Sequence, residues 1–557
     1  MGRQSEHPYI PKLKQLFAEG GCDRREFLRT ATLLGVSATA AYAFVGKVTG
    51  ESVAFAQAAL PKGGTARISV RIRQFESAHK ANFVPPSNCV RQVCEYLSKT
   101  GYDNVTRPYL LEKWEPSPDL KTWTLHVRRT VKWRKGGRLL NADDVVWNLR
   151  QVLDPAVGSS VLGLMKGYMM EDVPTGEKNA DGTAKLTARL WDSKAIEKVD
   201  DFTVRLNLKQ AQLGVPEHLF HYPLAITDPA EGEKFAPGTN GTGPFDLVEY
   251  DIGRRATFKA RKDYWGQGPY LDELVFVDLG DDPGADVAAL ASRQIHLASA
   301  MGASQLEPCK RIPHLVYYPA DTAASAHARM HPVPPFNDKR VRQAMRYAVD
   351  CKTVAEVALG EIGSPGEHHH VSPIHPEYAK LPPFNRDLAK AKKLLAEAGH
   401  PGGIDIEFNC PNGSWQRDVS QVMVQQWADA GIRAKLNIIP STEYNKNWTE
   451  YPLGFTDWSH RPLGVMCLSL GYRTGVPWNE SKYSNPEFDR LLTEAEATAD
   501  VEKRRGLVRQ LEMILQDDGP LVQPIWRKVF CFADQKLKGF KMHPTQYVFG
   551  EEYGVEA

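Results

Sequence analysis

Several common signatures are missing from this sequence, and each absence removes a class of function. There is no G-x-S-x-G, no H-E-x-x-H and no C-x-x-C, so nucleophile-elbow hydrolysis, zinc-dependent proteolysis and dithiol redox chemistry have no local motif. An excess of one charge is missing too. The 69 Lys+Arg face 67 Asp+Glu, a balance too even for a nucleic-acid-binding surface. Cysteine is scarce, 8 in 557 residues, which is no disulfide framework for a chain long enough to build its own core. Cys89 and Cys94 lie five apart on a predicted helix, do not share a face, and are not paired. No apolar run reaches the roughly 18 residues from which a membrane-spanning helix is read. What is present is ordinary globular material: 42% hydrophobic, 24% charged and 10% aromatic residues. That excludes disorder, coiled coil and collagen-like repeats, and the length allows about three folding units.

The N-terminus reads as a leader. Cys22-Asp-Arg-Arg-Glu-Phe-Leu-Arg29 precedes the apolar stretch Ala31–Val45, 15 residues interrupted by Gly35, Ser37 and Thr39. Ala54-Phe55-Ala56 then offers an A-x-A cleavage site before Gln57. The run Arg24-Arg25-Glu26-Phe27-Leu28 resembles the twin-arginine export signal. The expectation is a leader over residues 1–56 that is not part of the fold, and export to the periplasm by the twin-arginine route. A soluble amphipathic helix and an uncleaved anchor are the alternatives. Such cargo folds before export, with or without a cofactor. The mature chain from Gln57 would carry 62 basic and 62 acidic residues and seven cysteines.

Past the leader, strand-like and helix-like segments mix without strict alternation. Ala66–Ile72, Trp123–Val127 and Val204–Leu208 read as strands. Asp143–Leu153, Val341–Val349, Asp387–Ala398, Glu487–Ala497 and Val501–Gln516 read as helices. Asn141 and Asp338 are placed to cap the first two, and Gly399 stops the third. Residues 171–185, polar and glycine-containing, read as an exposed insertion. The pattern predicts an α/β protein of more than one lobe.

Six separated segments together carry a resemblance. They are Arg107–Asp154; Ala195–Leu208; Gly241-Thr-Gly-Pro-Phe245 with Tyr264-Trp-Gly266 and Leu271-Asp-Glu-Leu274; Pro335–Asp350; Lys393–Gly399; and Tyr483–Leu491. In this order they resemble family 5 of the bacterial extracellular solute-binding proteins, the peptide, opine and nickel type that serves ABC importers. The likeness covers roughly residues 62–541. It implies a two-lobed periplasmic-binding-protein fold (class II, large three-subdomain type) with two crossover strands at the hinge, placed near Tyr318–Ala326 and Leu521–Phe532. It implies lobe I over residues 57–322 with an extra subdomain, lobe II over 323–524, and a return to lobe I over 525–557. The implied function is periplasmic delivery of a peptide-sized organic solute to an inner-membrane ABC permease and ATPase complex by hinge closure, by a monomer without catalysis, cofactor or nucleic acid. An exported cofactor-dependent enzyme and a chemosensory ligand-binding partner are the competing functions.

In peptide-binding members, a Trp followed three residues later by Asp lies at the cleft, and the Asp pairs with the peptide α-amine. Here Trp458 matches, but Arg461 stands where the Asp would be. A guanidinium suits carboxylate or phosphate and repels ammonium, so the expected solute carries an anionic group held by Arg461 and a body stacked on Trp458. A local salt bridge between Arg461 and the nearby Asp457 is the alternative. His460, Trp415, Tyr444, Tyr472, Arg473 and Phe75 complete the expected ligand-binding set, with Trp448 and His79 as further candidates; for the aromatics, core packing is an equal alternative. His368-His369-His370, with Glu367 and His375, looks like a metal cluster but lacks a spaced ligand pattern, so no metal is expected. Ser77-Ala-His-Lys80 and Lys99-Thr-Gly101 match penicillin-enzyme motifs by chance, with too little chain between them. Gly241-Thr-Gly-Pro244 lacks the G-K-[ST] of a phosphate loop.

Overall fold

A computed structural model of the chain describes residues 6–50, 59–178, 182, 184–232 and 234–557. Among these residues, one large sheet of eleven strands runs through both halves of the molecule. On one side lie strands Phe245–Asp251, Arg255–Ala260, Glu273–Val277, Thr65–Ser69 and Leu297–Ala298, in that order across the sheet. On the other lie Leu453–Trp458, Ile404–Pro411 and Ile432–Ile439.

Between the two halves run the long strands Leu315–Met330 and Leu521–Asp534, of 16 and 14 residues, paired antiparallel. The crossings expected at Tyr318–Ala326 and Leu521–Phe532 fall on them. Their register breaks in the middle: Ala320 faces Val529, yet Ala324 already faces Arg527. The surplus residues Asp321–Ala323 form a bulge, which bends a strand and loosens its ladder. That is where a two-lobed protein can hinge. Thr322 Oγ1 donates to the Arg527 carbonyl at 2.6 Å and the Ala323 amide donates to His460 Nδ1 at 3.1 Å, so the bulge is irregular but satisfied.

Leu111–Pro116, Thr122–Val127, Thr203–Asn207 and Ile196–Asp200 form a four-stranded sheet separate from the large one. Local sequence sets these elements. Asn141 caps helix Ala142–Leu153 reciprocally with Asp144, and Asp338 caps Lys339–Tyr347. Helix Leu388–Glu397 is capped by Asp387 and followed by Gly399 at φ +91°. The insertion expected over 171–185 is a β-hairpin, Met170–Lys178 with Ala184–Leu190, and it stays largely exposed. Gly241 and Gly243 are glycines for a packing reason: a Cβ at either would lie within 3 Å of the Val93 carbonyl. All eight cysteines are free.

The segment set apart as a leader packs on the body in its described part. Helices Ile10–Ala18, Arg24–Leu33 and Ala38–Thr49 bury Ile10, Leu13, Phe27, Leu33 and Val45. Glycine and Ser37 break the apolar stretch into two short helices, and among the described residues no helix is long and apolar enough to cross a membrane. Ala54-Phe55-Ala56 lies outside the described residues.

Candidate functional site

The sheet topology dictates where a ligand can sit. On the first side, strands Thr65–Ser69, Glu273–Val277 and Leu297–Ala298 run parallel. On the second, Ile404–Pro411, Ile432–Ile439 and Leu453–Trp458 do so. Loops leaving the carboxyl ends of such strands form the crevice where α/β folds bind ligands. Both sets of loops face one cavity of about 340 Å³ between the halves. Arg71, Arg73, Asp281 and Ser299 come from the first set; Asn412, Trp415, Tyr444, Trp448, Asp457, Trp458 and Arg461 come from the second.

Of the residues singled out in the sequence, Trp415, Tyr444, Trp458 and Arg461 line this cavity, as does Trp448. Trp458 is pinned from behind. Its Nε1 donates to Glu480 Oε1 at 3.1 Å, and the same carboxylate binds Arg329 and Thr456. The ring lies against Trp478 at 5.9 Å and His370 at 4.9 Å. Tyr444 is fixed by donating to the Phe455 carbonyl at 2.6 Å.

Arg461 is not the open fork that the sequence suggests. Its Nη1 donates to the carbonyls of Ser459 and His460, at 3.2 and 3.0 Å, and Nη2 donates to the Tyr222 hydroxyl at 3.0 Å. Nor does it pair with Asp457. Tyr222 belongs to the first half, so this arginine already bridges the cleft. Only its buried Nε lacks a partner.

His460 bridges in the same way: Nε2 donates to Asn104 Oδ1 at 2.9 Å while Nδ1 accepts from Ala323 at the bulge. It lines a small adjoining cavity shared with Trp415, Asp457 and Arg527. Burial holds its imidazole well below the ordinary value, so it stays neutral with one donor and one acceptor.

Tyr472, Arg473 and Phe75, expected in the ligand-binding set, do not line this cavity. Helix Gly464–Gly471 is apolar and buried along its whole length, and it carries the two residues that follow it into the core. The Tyr472 hydroxyl contacts His327 Nδ1 at 3.1 Å and His370 Nδ1 at 3.3 Å. Arg473 pairs with Glu496 at 2.6 Å. Phe75 packs on Phe235 and Tyr250, and His79 is buried against Asn148. The histidine run is also structural. His368 and His369 accept backbone amides, and among the described residues no group of three or more potential ligands could hold a metal.

Three functional-looking arginines escaped the sequence reading. Arg71 and Arg73 alternate past the end of the first strand, on one face. Arg71 is engaged by Asp278 at 2.7 Å and by Asp281, whereas among the described residues Arg73 is in no ion pair. Arg527 interrupts the apolar run of the second crossing strand, and that was the signal available. It is 8% exposed, its guanidinium lies 4.6 Å over the Trp415 ring, and its Nε is unpartnered. Burial draws it below its ordinary value despite the nearby Asp457. Asp457 opens into the cavity. The enclosing walls push its carboxyl upward, and Arg527 and Arg73 only partly oppose that. Among the described residues, none of Arg73, Arg461 and Arg527 is in an ion pair with a carboxylate. The cleft therefore presents cationic donors and aromatic faces, with Asp457 as the carboxylate beside Trp458 and with Asp281, Asp282 and Asp286 on the opposite wall.

Comparison with known proteins agrees with this architecture. The profile described as "Bacterial extracellular solute-binding proteins, family 5 Middle" matches residues 106–470. Heme-binding protein A of Haemophilus influenzae is 27% identical over 466 residues, covering 79% of this chain and 82% of that protein. The dipeptide-binding protein of Escherichia coli is 26% identical over 477 residues, covering 81% and 86%. In fold, the chain resembles the binding protein AgaA from A. tumefaciens R10 in complex with agropinic acid, with a TM-score of 0.77 at 22% identity over 89% of this chain and 99% of that one. It likewise resembles DppA from Helicobacter pylori in complex with the peptide STSA, with a TM-score of 0.76 at 20% identity over 89% and 99%. These relatives are binding proteins, and this chain is a binding protein rather than an enzyme. The matched segment is well over half of the sequence, and the chain belongs to family 5 of the bacterial extracellular solute-binding proteins.

Proposed function

We propose that this protein is the periplasmic receptor of an ABC importer, capturing a peptide-sized organic solute through an anionic group and delivering it by hinge closure. One observation carries the reading. Arg73, Arg461 and Arg527 reach the cleft from the first half, the second half and the crossing strand, and among the described residues none is in an ion pair with a carboxylate. Buried cations usually have counterions, because desolvating a charge costs several kcal/mol. A carboxylate ligand would supply the missing partner and would be felt by both lobes and the hinge at once, which is the differential contact that drives closure. Arg461–Tyr222 and His460–Asn104 are contacts of the closed state that such a ligand would reinforce.

The cavity volume of about 340 Å³ is near the lower end of the range for small-molecule sites, which favours a solute of dipeptide or opine size. Asp457 adds an acceptor for an ammonium, so a solute bearing both signs is also accommodated. The relatives named for a dipeptide, a peptide complex and an agropinic acid complex bind solutes of this kind. The transporter partner and the twin-arginine leader belong to the same reading, with the protein acting as a monomer and without cofactor.

A thermal-shift screen of the full chain tests it, setting short peptides against opine-like and other organic acids without a free amine. A ligand at a hundred times its dissociation constant adds about 2.7 kcal/mol, which a cooperative melt registers. Stabilisation by acids, lost in Arg527→Gln and weakened in Arg461→Ala, is the expected result. Stabilisation only by solutes that lack any anionic group would overturn the proposal.

A further inference from the structure

The N-terminal helices are a small folded unit. Phe17 stacks on Phe27 at 4.8 Å and Phe44 lies 5.2 Å from Phe27. Asp23 caps helix Arg24–Leu33 through the Glu26 amide, and Ser37 caps Ala38–Thr49. The unit is seated on the body. Trp114 Nε1 donates to the Leu33 and Thr32 carbonyls at 3.1 and 3.2 Å, Tyr42 hydrogen-bonds Asp103, and Lys12 pairs with Asp500 at 2.5 Å.

The charges at the centre of this seat are unusual. Arg29 Nε donates to Glu217 Oε1 at 2.6 Å, with the two side chains 2% and 0% exposed. Arg504 Nη2 donates to Glu26 Oε1 at 3.1 Å, with both side chains 2% exposed. Among the described residues, Arg29 is the only cation within 4 Å of the Glu217 carboxylate, and Glu26 the only carboxylate within 4 Å of Arg504. Glu217 lies on a short helix packed beside the strands Ser98–Thr100 and Thr106–Pro108 of the first half. Arg504 lies on Val501–Asp517 of the second, a helix whose end holds Arg342 through Asp518. Glu26 and Arg29 are three apart on one helix, hence on one face, and they match an acid on one lobe and a base on the other.

We propose that the body carries a built binding surface for its own N-terminal segment, and that helix Arg24–Leu33, seated there, ties the two lobes together in the closed arrangement. Two buried, hydrogen-bonded ion pairs on opposite lobes resist separation strongly, because breaking either one strands a desolvated charge. Arg24 and Arg25 remain on the exposed side of the helix, while Phe27 and Leu28 are buried against the seat. Opening the lobes requires the segment to leave one of them. Removal of the segment frees the hinge. The inference rests on the two-lobe architecture and not on the identity of the solute.

Hydrogen exchange on the full chain reads it without any ligand. The Leu213 amide donates to the Glu496 carbonyl across the lobes at 3.0 Å, so its exchange reports lobe separation directly. The amides of Phe27–Leu34 report docking, and those of Ile525–Phe532 report the integrity of the crossing strands. In the double variant Glu26→Gln/Arg29→Gln, the Phe27–Leu34 and Leu213 amides are expected to exchange at least about tenfold faster than in the wild type, with the crossing strands unchanged. Unchanged exchange at Leu213 overturns the proposal, as does wild-type exchange over Phe27–Leu34 at free-peptide rates. If the double variant also loses protection in the crossing strands, Glu26→Gln alone decides, since it keeps the Arg29–Glu217 pair and removes only the tie to the second lobe. Faster exchange at Leu213 in that variant supports the clamp, and no change there contradicts it. A failed thermal-shift screen leaves these outcomes untouched, so the two proposals fail separately.

Discussion

The seam beneath the N-terminal helices and the cleft on the hinge handle buried arginines in opposite ways. At the seam, Arg29 and Arg504 each meet a carboxylate, and the charges close on one another. In the cleft, Arg461 is held by a hydroxyl and by carbonyls, Arg527 lies over an aromatic face, and neither of them nor the half-buried Arg73 reaches a carboxylate within ion-pair distance among the described residues. The same contrast appears within one loop region, where Arg473 is locked to Glu496 while Arg461, twelve residues earlier, is not. The lesson concerns where a fold leaves charge unmatched. A desolvated cation without a counterion is expensive, so its persistence in a cavity marks a place where something outside the chain completes the pairing.

That contrast gives the largest prediction. Arg29→Leu strands Glu217 and should lower the stability of the full chain by about 3–5 kcal/mol in urea unfolding. Arg527→Gln should change stability by less than about 1 kcal/mol, because it removes a charge that had no counterion. Equal losses in the two variants would erase the distinction between seam and cleft.

Acid probes the bracing behind the cleft. Burial keeps His327, His369 and His543 neutral, with values pushed down to about 3, and His375 down to about 4. The unfolded chain takes up these protons near pH 6.5, whereas the folded chain does not until far lower. Their contribution is therefore complete above about pH 6.5 and is lost as pH falls, at about 2 kcal/mol for each histidine by pH 5. His375 donates to the Arg461 carbonyl at 3.0 Å, so the cleft loop should loosen over the same window. Urea midpoints measured from pH 7 to 5 should fall steeply. A flat profile would show that these rings are not held neutral.

Within the cleft, Asp457→Asn separates the two signs. Affinity for a solute carrying an ammonium should fall about tenfold, about 1.4 kcal/mol, while that for an amine-free acid stays equal or improves. A loss for both kinds would mean that Asp457 positions Arg527 rather than reading the solute. The smallest effect belongs to a residue that does not line the cavity. Phe75→Leu should cost about 1 kcal/mol of stability through its contacts with Phe235 and Tyr250, with affinity unchanged.

Much of this was legible in the sequence because it is locally encoded. Asn141, Asp338 and Asp387 cap the helices they precede, and the crossing strands lie where the resemblance puts them. The aromatics at the ends of second-half strands, Trp415, Tyr444 and Trp458, reach the cavity because side chains at carboxyl strand ends face the crevice. What was not legible depends on pairing between distant segments. Glu496 decides the fate of Arg473, Tyr222 that of Arg461, and Glu217 that of Arg29. No spacing rule connects residues 23, 239 or 188 positions apart. Arg527 could have been noticed as the lone buried cation inside an apolar strand at the predicted hinge.

The central claim is that an anionic group on the solute is what the cleft reads. The most direct measurement is a pair of calorimetric titrations of the full chain, one with the most strongly stabilising carboxylic acid from the screen and one with its primary amide. The two differ in charge and hardly in shape. The account predicts that the amide binds at least about a hundredfold more weakly, a loss of about 2.7 kcal/mol that is largely absent when the same pair is titrated into Arg527→Gln. Equal affinity of acid and amide for the wild-type chain would contradict it.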